Sequence, residues 1–188
     1  MRADAALIGG TGIGDRLGRL EGRRIVVPTP YGPLRGKLVE HKGTSIVLVQ
    51  RHSIGHKTPP HSVNYQGIVD GLRRLGVKAC FSSAAVGSLH TDWSIGTLAV
   101  CSDFYDLTAR NLTMFEAGVE HTDFTQPFAG DRFLQAAANN LQYPVKDSAV
   151  YVCGNGPRYE TPMEIKLLQS VGGDVVGMTA ASEAILMR

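Results

Sequence analysis

Short apolar runs, each emptying into a cluster of small and polar residues, recur along the chain and predict strands alternating with helices. Ala5, Ala6, Leu7 and Ile8 form the first run, which ends in Gly9-Gly10-Thr11-Gly12-Ile13-Gly14. Residues 24–29 read as a second strand, turned by Pro30-Tyr31-Gly32-Pro33. The run TSIVLVQ at 44–50 reads as a buried strand and leads into Arg51-His52-Ser53. Beyond Pro59-Pro60, Ser62 is placed as the N-cap of a helix. Its apolar positions Val63, Ile68, Val69, Leu72 and Leu75 lie on or near one face, and Gly76 stops it. Residues 77–81 begin a strand expected to continue through Ser88. Residues 96–101 form another, with 102–108 as a polar, aromatic turn. No period holds from 109 to 130, so a long loop carrying His121, Asp123 and Phe124 is predicted, the kind of loop that is often functional. A helix over 131–141 then leads to Tyr143-Pro144.

The last stretch, 150–188, is the most explicit. A strand around Tyr151 breaks at Gly154-Asn155-Gly156-Pro157, where two glycines permit positive φ and the proline fixes the exit. Arg158, Tyr159 and Glu160 follow on the loop. Thr161-Pro162-Met163-Glu164 has the form of a capping box with proline at the first helical position, and Gly172-Gly173 ends that helix. A strand at 174–178 ends at Thr179, and Ser182 is read as the cap of a further helix. The alternation is that of an α/β fold, without repeat, low-complexity tract or linker, so one domain is expected. In open α/β sheets ligands bind at the carboxyl ends of strands, which makes the clusters there the candidates for chemistry.

Composition narrows the choice. At 188 residues the chain suits one domain with a substantial core, and 43% hydrophobic residues describe an ordinary soluble globule. A formal net charge of +2 with no long basic run gives no reason to expect nucleic acid, and Arg23-Arg24 and Arg73-Arg74 read as solvated faces. Cys80, Cys101 and Cys153 are odd in number with no CxxC spacing. They suggest buried thiols in a reducing compartment. No run reaches membrane-span length and no signal-peptide pattern opens the chain, so a cytoplasmic protein without membrane contact is expected. His56 and His61 have no third ligand at useful spacing, so no metal is expected. The first glycine loop fails the dinucleotide fingerprint, because the third glycine counted from Gly10 would fall at Asp15. It fails the P-loop pattern because no Lys-Ser or Lys-Thr follows. What remains is a loop of backbone N–H groups with one hydroxyl, Thr11, suited to an anion. Arg51 and His52, at the end of a buried strand, suit phosphate oxygens.

Taken in order, several of these stretches resemble the methylthioadenosine phosphorylase and purine nucleoside phosphorylase family, the trimeric nucleoside phosphorylases. They are Ile8-Gly9-Gly10-Thr11-Gly12, Thr29-Pro30-Tyr31-Gly32, Arg51-His52, Pro60-His61-Ser62-Val63-Asn64-Tyr65-Gln66, Gly87-Ser88-Leu89, Gly156-Pro157-Arg158-Tyr159-Glu160-Thr161 and Val175-Val176-Gly177-Met178-Thr179. The resemblance implies a mixed central β-sheet flanked by helices, and phosphate attack on C1′ of a purine nucleoside to release the base and a sugar 1-phosphate. Residue by residue, it places Thr11, Arg51, His52 and Thr179 at the phosphate, with Ala84-Ala85 where a Thr-Ala or Ser-Ala pair helps hold it. Met178 falls at the ribose, His56 near its 5′ end, Tyr159 against the purine and Glu160 at the position that governs base choice. Phosphate is a co-substrate, and no cofactor is implied. A homotrimer is implied, with residues 121–128 as the segment a neighbouring subunit would lend.

Three departures shape the expectation. Ala84 has no hydroxyl, so phosphate contact there must come from backbone N–H, and weaker phosphate binding follows. Glu160 stands where methylthioadenosine phosphorylases usually have serine. A carboxylate accepts hydrogen bonds, and 6-oxopurines present N1–H as a donor whereas adenine N1 is an acceptor. This tilts the substrate towards inosine, guanosine or methylthioinosine, with methylthioadenosine as the alternative. The chain stops at Arg188 inside a predicted helix, so the 1–188 domain is read as lacking the segment that contacts purine N7. A non-catalytic nucleoside- or phosphate-binding homologue is the other reading.

Overall fold

Parallel pairing organises both sheets of the computed structural model, which describes residues 1–128, 134, 136, 137, 140 and 145–188. The chain divides into two compact units, largely Met1–Ala85 and Val86–Leu186, and each holds one sheet. In the first unit β1 (Ala5–Gly9) lies between β4 (Thr44–Gln50) and β5 (Ala79–Ser83), parallel to both. The strands β2 (Arg23–Val27) and β3 (Leu34–His41) extend the sheet antiparallel, giving the five-stranded order β2-β3-β4-β1-β5. Ile8, Val47 and Val49 are buried on these strands, as the apolar runs predict. β3 is not announced by the sequence, because its run LRGKLVEH is mostly polar. One of its polar residues, Lys37, acts locally. Its Nζ donates to the carbonyls of Gly18 and Leu20 at the end of the short helix α1 (Ile13–Arg19). A cation there satisfies carbonyls that the helix leaves unpaired.

Two expectations change in this unit. Ser62 does not cap the helix α2 (Tyr65–Arg74); it lies in a 3₁₀ turn, Pro60–Ser62, and Val63 is extended. The double proline supports that turn, and Asn64 is the cap. Its Oδ1 accepts from Gly67 N–H at 2.9 Å, while its Nδ2 donates to Tyr31 O at 2.7 Å and so ties the helix start to the predicted turn. Arg73 and Arg74 are not merely a solvated face. Both pair with Asp70, one turn earlier and 2% exposed, at 2.7 and 2.6 Å. Burial works to raise the Asp70 pKa, but the hydrogen bonds and charges of Arg74 and Arg73 together outweigh it and hold the carboxyl below its usual value.

The second unit is built on β7 (Leu98–Asp106), β8 (Val145–Cys153) and β9 (Val175–Gly177), parallel in pairs, with the short β6 (Gly87–Ser88) antiparallel to β9; the four-stranded order is β6-β9-β8-β7. The strand expected over 77–88 therefore breaks into β5 and β6, in different sheets. The break follows Ser83, whose carbonyl already accepts from Gly10 N–H and from Arg51. The turn expected at 102–108 is instead strand as far as Asp106. Register shifts between Ala99 and Cys101 and between Cys101 and Asp103 break the alternation that would have revealed it. The helix expected over 131–141 falls mostly outside the described residues.

Helices follow β8 and β9 in this unit. The predicted capping box of α3 (Pro162–Ser170) is present in full: Glu164 N–H donates to Thr161 Oγ1 at 3.2 Å, and Thr161 N–H to Glu164 Oε2 at 2.7 Å. Ile165 and Leu168 of α3 pack with Leu89, Val152 and Val176. Ser182 does not cap α4 (Ala180–Met187); it is buried inside the helix, and Thr179 holds the N-cap position without a side-chain cap bond. The fully buried Tyr151 serves instead, its phenol oxygen accepting from the N–H groups of Thr179 and Ala180 at 3.3 and 3.5 Å. The phenol sits so close to Gly177 that a Cβ there would overlap it.

Replacing Asp70 by Asn should lower stability at neutral pH by about 1.5–3 kcal/mol, the usual worth of hydrogen bonds to a charged group. The folded-state pKa is depressed, so the wild-type advantage should be complete above the ordinary 3.8 and shrink as pH falls through the lowered value. Denaturant unfolding of both proteins across that range checks this. Gly177→Ala should cost about 1–3 kcal/mol by forcing the Tyr151 ring to move, read as a drop in melting temperature.

Candidate functional site

In the first unit the parallel register brings three strand ends level. Gly9 of β1 lies opposite Gln50 of β4 and Ser83 of β5, so the loops that follow start side by side. The glycine loop with Thr11, the Arg51-His52 pair and Ala84-Ala85 are thereby collected at one sheet edge, while Thr179, also read at the phosphate, belongs to the second unit. Arg51 is 3% exposed, and its guanidinium donates to Ser83 O at 2.9 Å and Ser82 Oγ at 2.5 Å. Gly10 must lack a side chain here, since a Cβ would overlap both Arg51 Nη1 and the Ser83 carbonyl.

His52 is also buried, and its Nδ1 donates to Thr58 O at 2.9 Å, which fixes the ring. The exposed His56 lies with its ring centroid 4.5 Å from that of His52. Glycines 9, 10, 12 and 14 and the two histidines line one small cleft. Thr11 and Ala85 are exposed at this edge and Ala84 is half-buried. Asp15, Gln50 and Ser53 line the same cleft, so a carboxylate stands there beside the hydroxyl, the imidazole rings and the glycine backbone.

The second unit repeats the arrangement. Asp106 of β7, Cys153 of β8 and Gly177 of β9 are level, and the loop 154–160 emerges beside Met178-Thr179. Tyr159 is 85% exposed, an aromatic face open to solvent. Glu160 is half-buried; its carboxylate lies against Gly154, and its charge is felt by the neighbouring Arg158. Arg158 supports this loop. It donates to both carboxylate oxygens of Glu164 at 2.8 and 2.7 Å and to Tyr159 O at 3.0 Å. Those hydrogen bonds, with that from Thr161, hold the Glu164 carboxyl down at about 2. Met178 is half-buried and Thr179 buried.

Burial pushes the Tyr151 phenol up to about 12 and the Cys153 thiol up to about 11, so both are neutral structural groups at physiological pH. Segment 121–128 lays Phe124 and Phe128 edge-on against Phe104 of β7, with ring centroids 6.2 and 5.8 Å away.

Sequence reasoning missed Arg110. It stands in the stretch read as a long loop, where the reading named His121, Asp123 and Phe124 instead, yet its guanidinium binds the loop after β8 and the start of α4. The only signal was the Asp106-Leu107-Thr108 run before it, whose polar side chains form turns. Among the described residues no group of three or more His, Cys, Asp or Glu is placed to hold a metal ion, and no helix is long and apolar enough to cross a membrane.

Known proteins resemble this chain over nearly its whole length. The probable S-methyl-5′-thioinosine phosphorylase of Methanopyrus kandleri is 40% identical over 98% of this chain and 73% of its own length. The probable 6-oxopurine nucleoside phosphorylase of Thermococcus kodakarensis is 38% identical over 97% of this chain and 73% of its own. Among solved structures, methylthioadenosine phosphorylase from Schistosoma mansoni, in complex with adenine, superposes with a TM-score of 0.88. It is 28% identical, and the match covers 97% of this chain and 73% of that one. The family model for the Phosphorylase superfamily matches residues 4–188, so the chain belongs to that superfamily.

Proposed function

We propose that the protein catalyses phosphate-dependent cleavage of 6-oxopurine nucleosides, with inosine, guanosine or methylthioinosine as substrate. The observation that carries the reading is Glu160, a half-buried carboxylate on the 154–160 loop with no hydrogen-bond partner among the described residues. A carboxylate held there accepts N1–H of a 6-oxopurine and repels the N1 lone pair of adenine. The names of the curated relatives, 6-oxopurine nucleoside and S-methyl-5′-thioinosine phosphorylases, support the same choice. The solved relatives named for methylthioadenosine support the alternative substrate.

Phosphorolysis needs no nucleophilic side chain and no cofactor, because phosphate is the nucleophile. The protein must hold a multiply charged anion beneath C1′, tolerate a ribosyl cation and stabilise the departing purine. Thr11, Arg51, His52, the backbone at Ala84-Ala85 and Thr179 are assigned to phosphate. Met178 and His56 are assigned to the sugar, and Tyr159 and Glu160 to the base. Arg51 already spends donors on β5, so it contributes charge and frames the anion loop as well as any direct contact. Oxocarbenium character at C1′ is shared with glycoside hydrolysis, but the paired carboxylates used there are not required. A homotrimer and a cytoplasmic location belong to this reading. Cys80, Cys101 and Cys153 are thiols rather than disulfides, which supports a reducing compartment.

Incubating the purified protein with inosine, methylthioinosine and methylthioadenosine, with and without phosphate, should release hypoxanthine from the first two only when phosphate is present. No base release from any of them overturns the proposal, and release from methylthioadenosine alone overturns the specificity.

A further inference from the structure

We infer that Arg110 is a positioning residue that locks the base-binding and ribose-binding loops of the second unit to each other. The inference rests on the function proposed above. β7, β8 and β9 end level, but nothing in a parallel ladder fixes the loops that leave its edge. Arg110 spans them. Its Nε donates to Asn155 Oδ1 at 2.9 Å and its Nη2 to Asn155 O at 3.0 Å, gripping the loop that carries Tyr159 and Glu160. Its Nη1 donates to Met178 O at 3.1 Å and Ser182 Oγ at 2.9 Å, gripping the junction of β9 and α4. One planar group thus sets the spacing between the residues assigned to base and sugar.

The loop that carries Arg110 is built to aim it. Leu107 N–H donates to Cys153 O at 2.9 Å, continuing the tie to β8. Thr108 N–H donates to Asp106 Oδ1 at 2.9 Å and Arg110 N–H to Thr108 Oγ1 at 3.2 Å, two side-chain turns in succession, and Thr108 is buried. Between them Ala109 adopts φ +53°, a left-handed conformation that alanine rarely takes. A strained residue held between two such turns marks a side chain whose direction matters. Lysine cannot substitute, because its donors radiate from one point whereas a guanidinium presents a planar fork. The buried Ser182, read from sequence as a helix cap, acquires its role here as an acceptor.

Steady-state kinetics of Arg110→Ala and Arg110→Lys, with methylthioinosine and phosphate varied separately, tests the assignment. Loss of loop registration should lower kcat/KM for the nucleoside on the order of 10–100-fold. Most of that loss should appear in the nucleoside KM, with a smaller rise in the phosphate KM through Thr179 beside Met178, and lysine should not restore the wild-type value. A nucleoside KM within about twofold of wild type in Arg110→Ala overturns the inference. So does full rescue by lysine, or a loss confined to apparent kcat with both KM values unchanged, which is what a smaller folded fraction gives. If Arg110→Ala does not fold, Asn155→Ala and Ser182→Ala each remove one acceptor. An intermediate rise in nucleoside KM supports the clamp, and no change in either overturns it. Wild-type protein that releases no base refutes the proposed function instead. The clamp is then read by amide hydrogen exchange at 154–160 and 178–182, which should quicken in Arg110→Ala and is contradicted by unchanged protection.

Discussion

Parallel pairing in level register is the constraint on which both groups of candidate residues depend. In a parallel sheet every strand leaves by the same edge, and the residues just past that edge meet whatever their distance in sequence. Gly9, Gln50 and Ser83 are level in one sheet, and Asp106, Cys153 and Gly177 in the other. A slip of one residue in either ladder would turn alternate side chains to the opposite face and scatter the set. Small residues at the edges are part of this constraint. Gly10 lets the Arg51 guanidinium cross the end of β1, and Gly177 lets the Tyr151 phenol reach the N-terminus of α4.

Much of this was legible in the sequence where a local rule acts alone. The TSIVLVQ strand, the capping box at Thr161 and Glu164 and the glycine stop after α3 each rest on one short-range preference, and each is present. The elements missed are those in which tertiary partners override the pattern. β3 holds its polar residues because Lys37 ends α1 and its backbone pairs with both neighbours. β7 runs past its expected end because a bulged ladder with β8 carries it on. Ser62 and Ser182 both look like caps, but Asn64 and the distant Tyr151 take those positions. Arg110 was invisible for the same reason: its importance lies wholly in partners about 45 and 70 positions away.

The two sheet edges carry different chemistry. One offers glycine backbone, a hydroxyl and imidazoles, with the Asp15 carboxylate beside them, and is the edge to which phosphate is assigned in the proposal. The other offers an exposed aromatic face, a thioether and a carboxylate without a hydrogen-bond partner among the described residues, a setting for a nucleoside. Ala84 weakens the first edge by one hydroxyl, although Ser83 Oγ lies 3.4 Å from Gly10 N at the same place. In the second edge Arg158 is bonded to Glu164 and Arg110 to the loops. Glu160 is the residue proposed to choose the base.

The most direct measurement of that claim is the ratio of kcat/KM for methylthioinosine over methylthioadenosine, in wild type and in Glu160→Gln. Glutamine keeps the shape, but its amide can donate to adenine N1, so the wild-type preference for methylthioinosine should fall by at least about tenfold, the equivalent of one modest hydrogen bond. A wild-type enzyme that favours methylthioadenosine, or a ratio indifferent to the substitution, would contradict the account.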